Sequence, residues 1–522
     1  MEPALNHEDE LNSNEAYSKI IKGAGVITIA MFASRILGFV RDASIAMVLG
    51  AGFYSDAFFA AFRIPDLFRR FFSDGALSIS FIPVFTEIMV KDGQDEAFRM
   101  ARCAIGWIML PSFVILALIG IVVIFKWHDF DLKVTLSLIM LPYVISLLLM
   151  AVFMGVLNSM GHFAAPAMAP IFFNLVMIFV VLVVSPCFDM PVLPMAFGVL
   201  AGGLLQAAIQ VPFLLKRGFK IPGKLVFYNN ATVRAFKTML PAMLGMGAYQ
   251  INLLFATFMA SLLADGSISY LYYADRLVQF PLALFTVSLS TSLLPELTRL
   301  FKSKQRVDAS ELFIKGIRMA IFMTIPSMAG LIVLREPIAA LLFHQGAFEI
   351  CDVQRTGDVL LFLSLGIWAF SGTRLFLPLF YSLSNFRLPL KAAVASILLN
   401  IIVSFFLMKT MGISGLALSI SIASILNCML LFYGVTVIIF HFEWKEIIGT
   451  ACRSLLLSAM MFILVQQISL FFCPPEIYSV KLSMFLGVFV SVIAGGIFYI
   501  LGAYFCKMPE LLMVLKIVKK QG

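Results

Sequence analysis

Apolar stretches long enough to cross a bilayer follow one another along almost the whole chain, and that pattern leaves few folds open. A spanning helix needs about 18 to 20 consecutive apolar residues. In lipid, every backbone N–H and C=O must be satisfied without water, so stretches of this kind become helices. Of 522 residues, 61% are hydrophobic and only 13% are charged. Soluble domains carry about 25% charged residues. The expected fold is an all-α polytopic membrane protein with no sizeable soluble domain.

About fourteen spans are expected, near 24–49, 55–90, 98–125, 134–157, 165–185, 192–215, 235–262, 268–298, 310–342, 356–382, 388–408, 413–440, 447–472 and 480–505. The second and eighth are too long for one straight crossing, and each holds a proline, Pro65 and Pro281, so a kink or break is expected there. The first 18 residues are polar and acidic, which argues against a secretory signal, so the first helix is expected to stay in the membrane.

The net charge of +9 could suggest nucleic acid, but its distribution explains it better. With the N-terminus inside, inner segments hold 25 of the 38 Lys and Arg, while outer loops hold only Lys126, Lys133, Arg335, Arg355, Lys409 and Lys481. Cytoplasmic loops are enriched in Lys and Arg, so both termini are expected in the cytoplasm. The seven cysteines are scattered without a C-x-x-C pair. They read as small apolar residues, neither a disulfide framework nor a zinc site.

An internal repeat is visible. "AFR" at 61–63 and "FIPVFT" at 81–86 are matched by "ADR" at 274–276 and "LLPELT" at 293–298. "FAAP" at 163–166, followed by Asn174, is matched by "FRLP" at 386–389, followed by Asn400, with a Pro-to-Asn spacing that differs by three. These offsets suggest a duplicated six-helix unit plus an extra helix pair. Two copies with an even number of spans share one orientation, as in transporters that rock two lobes about a central site.

Apart from those counted with the basic inner segments and the span ends beside them, seven arginines fall inside spans: Arg35, Arg41, Arg63, Arg69, Arg70, Arg276 and Arg374. Each costs roughly 2.5 to 3.5 kcal/mol at a bilayer centre even on the lenient scale, so each should face a bundle interior or a wet cavity. Asp42, Asp56, Asp66, Asp74 and Asp275 are the acidic residues nearest them. Arg63, Asp66 and Arg70 lie near one helical face and read as a structural ladder. The balance is still cationic, and the planar guanidinium fork suits phosphate. A cavity for a phosphorylated or otherwise anionic substrate follows. Arg35 and Arg41 are six residues apart, about 120° around a helix, so one helix–helix salt bridge cannot serve both.

Enzymatic motifs fail. "GFKIPGK" at 218–224 is followed by Leu225, where a P-loop needs Ser or Thr, and it lies in a basic loop between spans. The five histidines lack metal-ligand spacing, and no G-x-S-x-G is present. ATP hydrolysis and resident-metal catalysis are therefore not expected.

"SRILGFVRD" at 34–42, "DAFFAAFRIPDLFRRFFSDGALSISFIPVF" at 56–85 and "YYADRLVQFP" at 272–281 resemble the MurJ/MviN family, bacterial lipid II flippases of the MOP transporter superfamily. The resemblance covers essentially the whole chain. It implies an N-lobe at 24–216 and a C-lobe at 235–441 forming a V around a cationic cavity, joined by a basic cytoplasmic linker at 217–234. It implies a lipid-tail groove at 442–506, flanked by cytoplasmic tails at 1–23 and 507–522. The substrate-binding arginines it implies are Arg35, Arg41, Arg69 and Arg276, with Asp42, Asp56, Arg70, Asp74, Asp275 and Arg374 as supporting charges. The implied partners are lipid II, the phospholipid bilayer and the cell-wall synthesis machinery, with neither nucleic acid nor ATP. No cofactor is expected. The implied location is the bacterial inner membrane and the implied drive is the membrane potential.

The chain departs from the family at Asp66, where Asn is common, and at Gln279, where Glu is common. Some members bind sodium in the second lobe through carboxylates and Asn. Here Asn252, Asn400 and Ser404 stand in those helices without a mid-span carboxylate, so neither sodium nor chloride has support. Two readings compete on the same scaffold: a flippase for another polyprenyl-diphosphate-linked oligosaccharide, and a MOP-type small-molecule antiporter. An exporter of cations would want acidic cavity residues, which these arginines contradict.

Overall fold

The computed structural model describes residues 29–71, 77–126, 131–220, 226, 228–383, 385, 387–438, 444–474 and 480–513. Among them the chain is helical from end to end, with no β-strand. By length and apolarity, eight of its helices could cross a membrane, and a bent pair could make a ninth.

The first helix, α1, covers 29–49. The second expected span is two helices, α2 (Phe53–Phe71) and α3 (Leu77–Lys91). Helix α2 runs through Pro65 without ending, and residues 72–76 lie outside the described residues. Next come α4 (Gln94–Lys126), α5 (Leu132–Met140), α6 (Tyr143–Ser159), α7 (Ala164–Phe179), α8 (Val192–Ala208) and α9 (Val211–Lys216). Helix α10 (Asn230–Ala260) leads to α11 (Ser267–Pro281) and α12 (Val287–Lys302), joined by a π-helical turn at Leu282–Thr286. That turn directly follows Pro281, whose missing N–H cannot continue the α-helical ladder. Helices α13 (Arg306–Val333), α14 (Arg335–Phe343), α15 (Ile350–Ser364) and α16 (Ile367–Ser382) follow. Helix α17 (Arg387–Ile438) is two helices broken at Gly412, whose φ of 57° few side chains tolerate. Helices α18 (Trp444–Phe472) and α19 (Lys481–Phe505) complete the chain's long elements.

Packing divides the chain into two units. The first contains residues up to Leu49 and then Ala57–Met246; the second contains Gly50–Asp56 and Gly247–Gly522. The division falls inside α10. The reason is packing: Ala235 and Met239, early in α10, sit in the first unit's core with Phe85, Phe98, Val152 and Phe219. The expected linker is also stitched down at its described ends. Gln94 Nε2 donates to the Arg217 carbonyl at 2.8 Å, Thr232 Oγ1 donates to the Met100 carbonyl at 3.1 Å, and Phe98 meets Phe219 edge-on at 5.1 Å.

In lipid the hydrophobic effect does not hold helices together, so close packing and hydrogen bonds must. Gly203 on α8 shows the packing: a Cβ there would lie 2.1 Å from the Tyr143 ring. In the second unit, one apolar core gathers Phe313, Leu375, Phe376, Phe380 and Leu431. A second core joins α13 to the α18–α19 pair through Phe322, Leu457, Met461, Val465 and Tyr499. Polar ties reinforce it. Buried Arg318 binds Glu446, Thr450 and the fully buried Glu510, the last at 2.7 Å. Tyr499 donates to the Phe322 carbonyl at 3.0 Å, and Lys481 donates to the carbonyls of Ala340 and Leu341.

Candidate functional site

The two arginines of "SRILGFVRD" have different surroundings. Arg35 is exposed, with no hydrogen-bond or ion-pair partner among the described residues. Arg41 is 7% exposed, and the adjacent Asp42 is fully buried. Arg41 Nε and Nη2 donate to Asp42 Oδ1 at 3.0 and 2.7 Å, and Nη1 donates to Asn174 Oδ1 at 3.2 Å. The guanidinium carbon lies 5.9 Å from the centre of the Phe173 ring, within cation–π range. Phe173 in turn presses on Gly202 of α8, where a Cβ would come within 2.9 Å of the ring.

Asn174 was visible in the sequence only as a repeat marker. Its role as a partner of Arg41 was not legible, because the two lie 133 residues apart. A buried, unpaired guanidinium would be costly, and here Asp42 balances its charge while Asn174 fixes its direction.

On α2, Asp66 accepts from Arg69 Nε and Nη2 at 3.0 and 2.8 Å, and from Arg70 Nε at 2.8 Å. One carboxylate thus orders two guanidiniums. The Arg69 side chain is 31% exposed, so part of its fork faces outward. The expected supporting residue Asp74 lies outside the described residues.

In the second unit, Arg276 is half-buried over the Tyr272 ring at 5.7 Å. Arg374 donates from Nη2 to Gln279 Oε1 at 2.6 Å, and Gln279 Nε2 donates to Asp275 Oδ1 at 3.2 Å. The Gln279 amide therefore sits between a cation and an anion, accepting from one and donating to the other. Asp275 and Asn252 supply the polar lining of a small cleft otherwise walled by residues such as Leu271, Val278 and Phe370.

Asp56 serves backbone. Its carboxylate accepts from Gly266 N at 2.9 Å, Ser269 N at 2.8 Å and Ser269 Oγ at 2.6 Å. It thereby satisfies free N–H groups at the start of α11, where the helix dipole also favours negative charge. Gly266 has a φ of 92°, and a Cβ there would meet the Ala51 carbonyl at 2.7 Å. This is why Gly50–Asp56 packs with the second unit.

The sodium ligands of some family members can be tested against the residues here. Asn400 Nδ2 donates to Asn252 Oδ1 at 2.6 Å, Ser404 Oγ donates to Asn400 Oδ1 at 3.2 Å, and Ser404 and Ser419 share a bond of 2.7 Å. The oxygens a cation would need are engaged with one another, and the carboxylate that shares a cleft with Asn252, Asp275, accepts from Gln279.

The chain matches the family profile described as "Lipid II flippase MurJ" over residues 45–489. It belongs to the MurJ family. The "Probable lipid II flippase MurJ" of Vibrio cholerae is 35% identical over 436 residues, 80% of this chain and 83% of that protein. The protein of the same description from Bdellovibrio bacteriovorus is 32% identical over 522 residues, covering 95% and 98%. Among solved structures, "Lipid II flippase MurJ, inward closed conformation" is similar with a TM-score of 0.72 and 27% identity, covering 91% of this chain and 98% of that one. An inward-facing multidrug resistance MATE family transporter of the MOP superfamily aligns with a TM-score of 0.65 at 12% identity, covering 79% and 98%, a likeness of fold alone. The chain is a multi-pass membrane protein of a transporter family, not an enzyme family.

Proposed function

We propose that this chain flips lipid II from the cytoplasmic to the periplasmic leaflet of the bacterial inner membrane by alternating access, with both termini cytoplasmic. Arg35, Arg41, Arg69 and Arg276 bind the diphosphate, and the undecaprenyl tail stays in lipid. Asp42, Arg70, Asp275 and Arg374 tune the charge around them. The observation that carries this reading is Arg41: a guanidinium kept buried in the first helix, in a chain that matches lipid II flippases over most of its length. Its charge is balanced in place by Asp42 and its guanidinium is tied to α7 by Asn174, and the planar guanidinium suits phosphate.

The drive in this reading is the membrane potential. A headgroup of about two negative charges moving outward gains roughly 4 to 5 kcal/mol per 100 mV. No step is routed through sodium. The test is reconstitution of the full chain in vesicles with a fluorescent lipid II analogue. Flipping that slows when the potential is collapsed, and is lost in Arg41→Ala, supports the reading. Unchanged flipping in Arg41→Ala sinks the site assignment, and indifference to the potential sinks the coupling.

A further inference from the structure

We infer that Asn174 is a positioning residue for Arg41, setting where its guanidinium meets a substrate phosphate; this rests on the role proposed for Arg41 above. Asn174 is 5% exposed on α7, and both ends of its amide are in use. Oδ1 accepts from Arg41 Nη1 at 3.2 Å, and Nδ2 donates to the Ser34 carbonyl at 3.1 Å. Ser34 and Arg41 are seven residues apart, two turns of α1, and so share a face. Helix carbonyls point toward the C-terminus, while side chains tilt toward the N-terminus. The Ser34 oxygen and the Arg41 side chain therefore converge, and one amide spans the gap between them. Gly38 lies between the two, and a Cβ there would stand 3.9 Å from Asn174 Nδ2, in ordinary van der Waals contact with the amide.

Asp42 and Asn174 do different things for Arg41. Asp42 is its neighbour on α1 and balances its charge. Asn174 ties the guanidinium to a second helix, α7. Its amide adds no charge, so the guanidinium keeps its attraction for an anion. Asn also matches the two neighbours in polarity, accepting from an arginine and donating to a carbonyl. Aspartate at 174 would set a second carboxylate on Arg41 and oppose two acceptors at Ser34. Leucine would keep the volume and remove both bonds.

The test is a double-mutant cycle on the purified full-length chain, read by binding of undecaprenyl diphosphate and, separately, by thermal unfolding. Asn174→Leu should weaken binding about tenfold, or about 1.4 kcal/mol. Asn174→Asp should weaken it more. In an Arg41→Ala background, Asn174→Leu should cause no further loss, because the two act as one unit. Additive losses, or wild-type binding by Asn174→Leu, overturn the inference. Wild-type binding by Arg41→Ala overturns the proposed role of Arg41 instead, so the two failures are distinguishable. If Asn174→Leu does not fold, Asn174→Ser replaces it: its hydroxyl can still donate toward Ser34 but is too short to hold Arg41 as well. Reduced binding that disappears in the Arg41→Ala background supports the inference, and unchanged binding overturns it.

Discussion

Each unit buries an asparagine, and the two asparagines have opposite company. In the first unit, Asn174 on α7 accepts from a buried arginine that is paired with a carboxylate. In the second, Asn400 on α17 donates to Asn252 and accepts from Ser404, which meets Ser419. One asparagine joins an ion pair and the other a neutral hydrogen-bonded chain. In the proposed reading the first unit's arginine is the charge a phosphate uses, whereas the second unit's groups satisfy one another, a stabilising arrangement.

The sharpest way to break this contrast is to remove the charge. Arg41→Ala leaves Asp42 buried without its partner, which should cost about 3 to 5 kcal/mol of stability. It should also abolish flipping, measured in vesicles beside thermal unfolding. Arg41→Lys separates the two effects, because it keeps the charge and loses the planar fork; it should recover more stability than flipping. Full flipping by Arg41→Ala would erase the distinction between the copies.

A smaller effect is expected from the neutral side. Asn400→Leu removes donors and acceptors from buried partners and should cost about 1 to 3 kcal/mol. Flipping per folded molecule should survive. Loss of flipping with an unchanged melting temperature would mean that the second network also handles substrate or ion.

Gln279→Glu probes the cationic part of the second unit. A carboxylate beside Arg374 would offset its charge, and a second anion would face Asp275. Diphosphate binding should fall by roughly tenfold, with salt reducing the difference. Unchanged binding would remove Arg374 from the group that senses the substrate. The smallest effect is predicted for sodium. A ligand that binds the folded state raises its stability with concentration. Exchanging sodium for choline should leave the melting temperature and the flipping rate unchanged, and a sodium-dependent rise in either would show that the Asn252–Asn400 group opens to a cation.

Much of the fold was legible because hydropathy is a local property. Helices lie where apolar stretches predicted them, and Pro281 was read correctly as a disruption. Pro65 was less informative, since α2 continues through it and a proline removes only one backbone bond. The arginines were legible as expensive residues, and helical spacing showed that Arg35 and Arg41 could not share one stripe. Spacing could not say which of them would be buried, because that depends on α7, remote in sequence. Asp56 teaches the same point. As the Asp opening α2 it read as a supporting charge, yet its hydrogen bonds go to backbone and Ser269, more than 200 residues away.

The sequence by itself determined a helical membrane protein with arginines in its first helices. Each of these follows from composition, periodicity and the cost of charge in lipid. Only the tertiary structure decided which arginine is held, by what, and which expected charges are occupied elsewhere. The physical reason is that a hydrogen bond selects its partner by distance and angle. Asn174 meets Arg41, Asp56 meets Ser269 and Arg318 meets Glu510 only after the helices have packed.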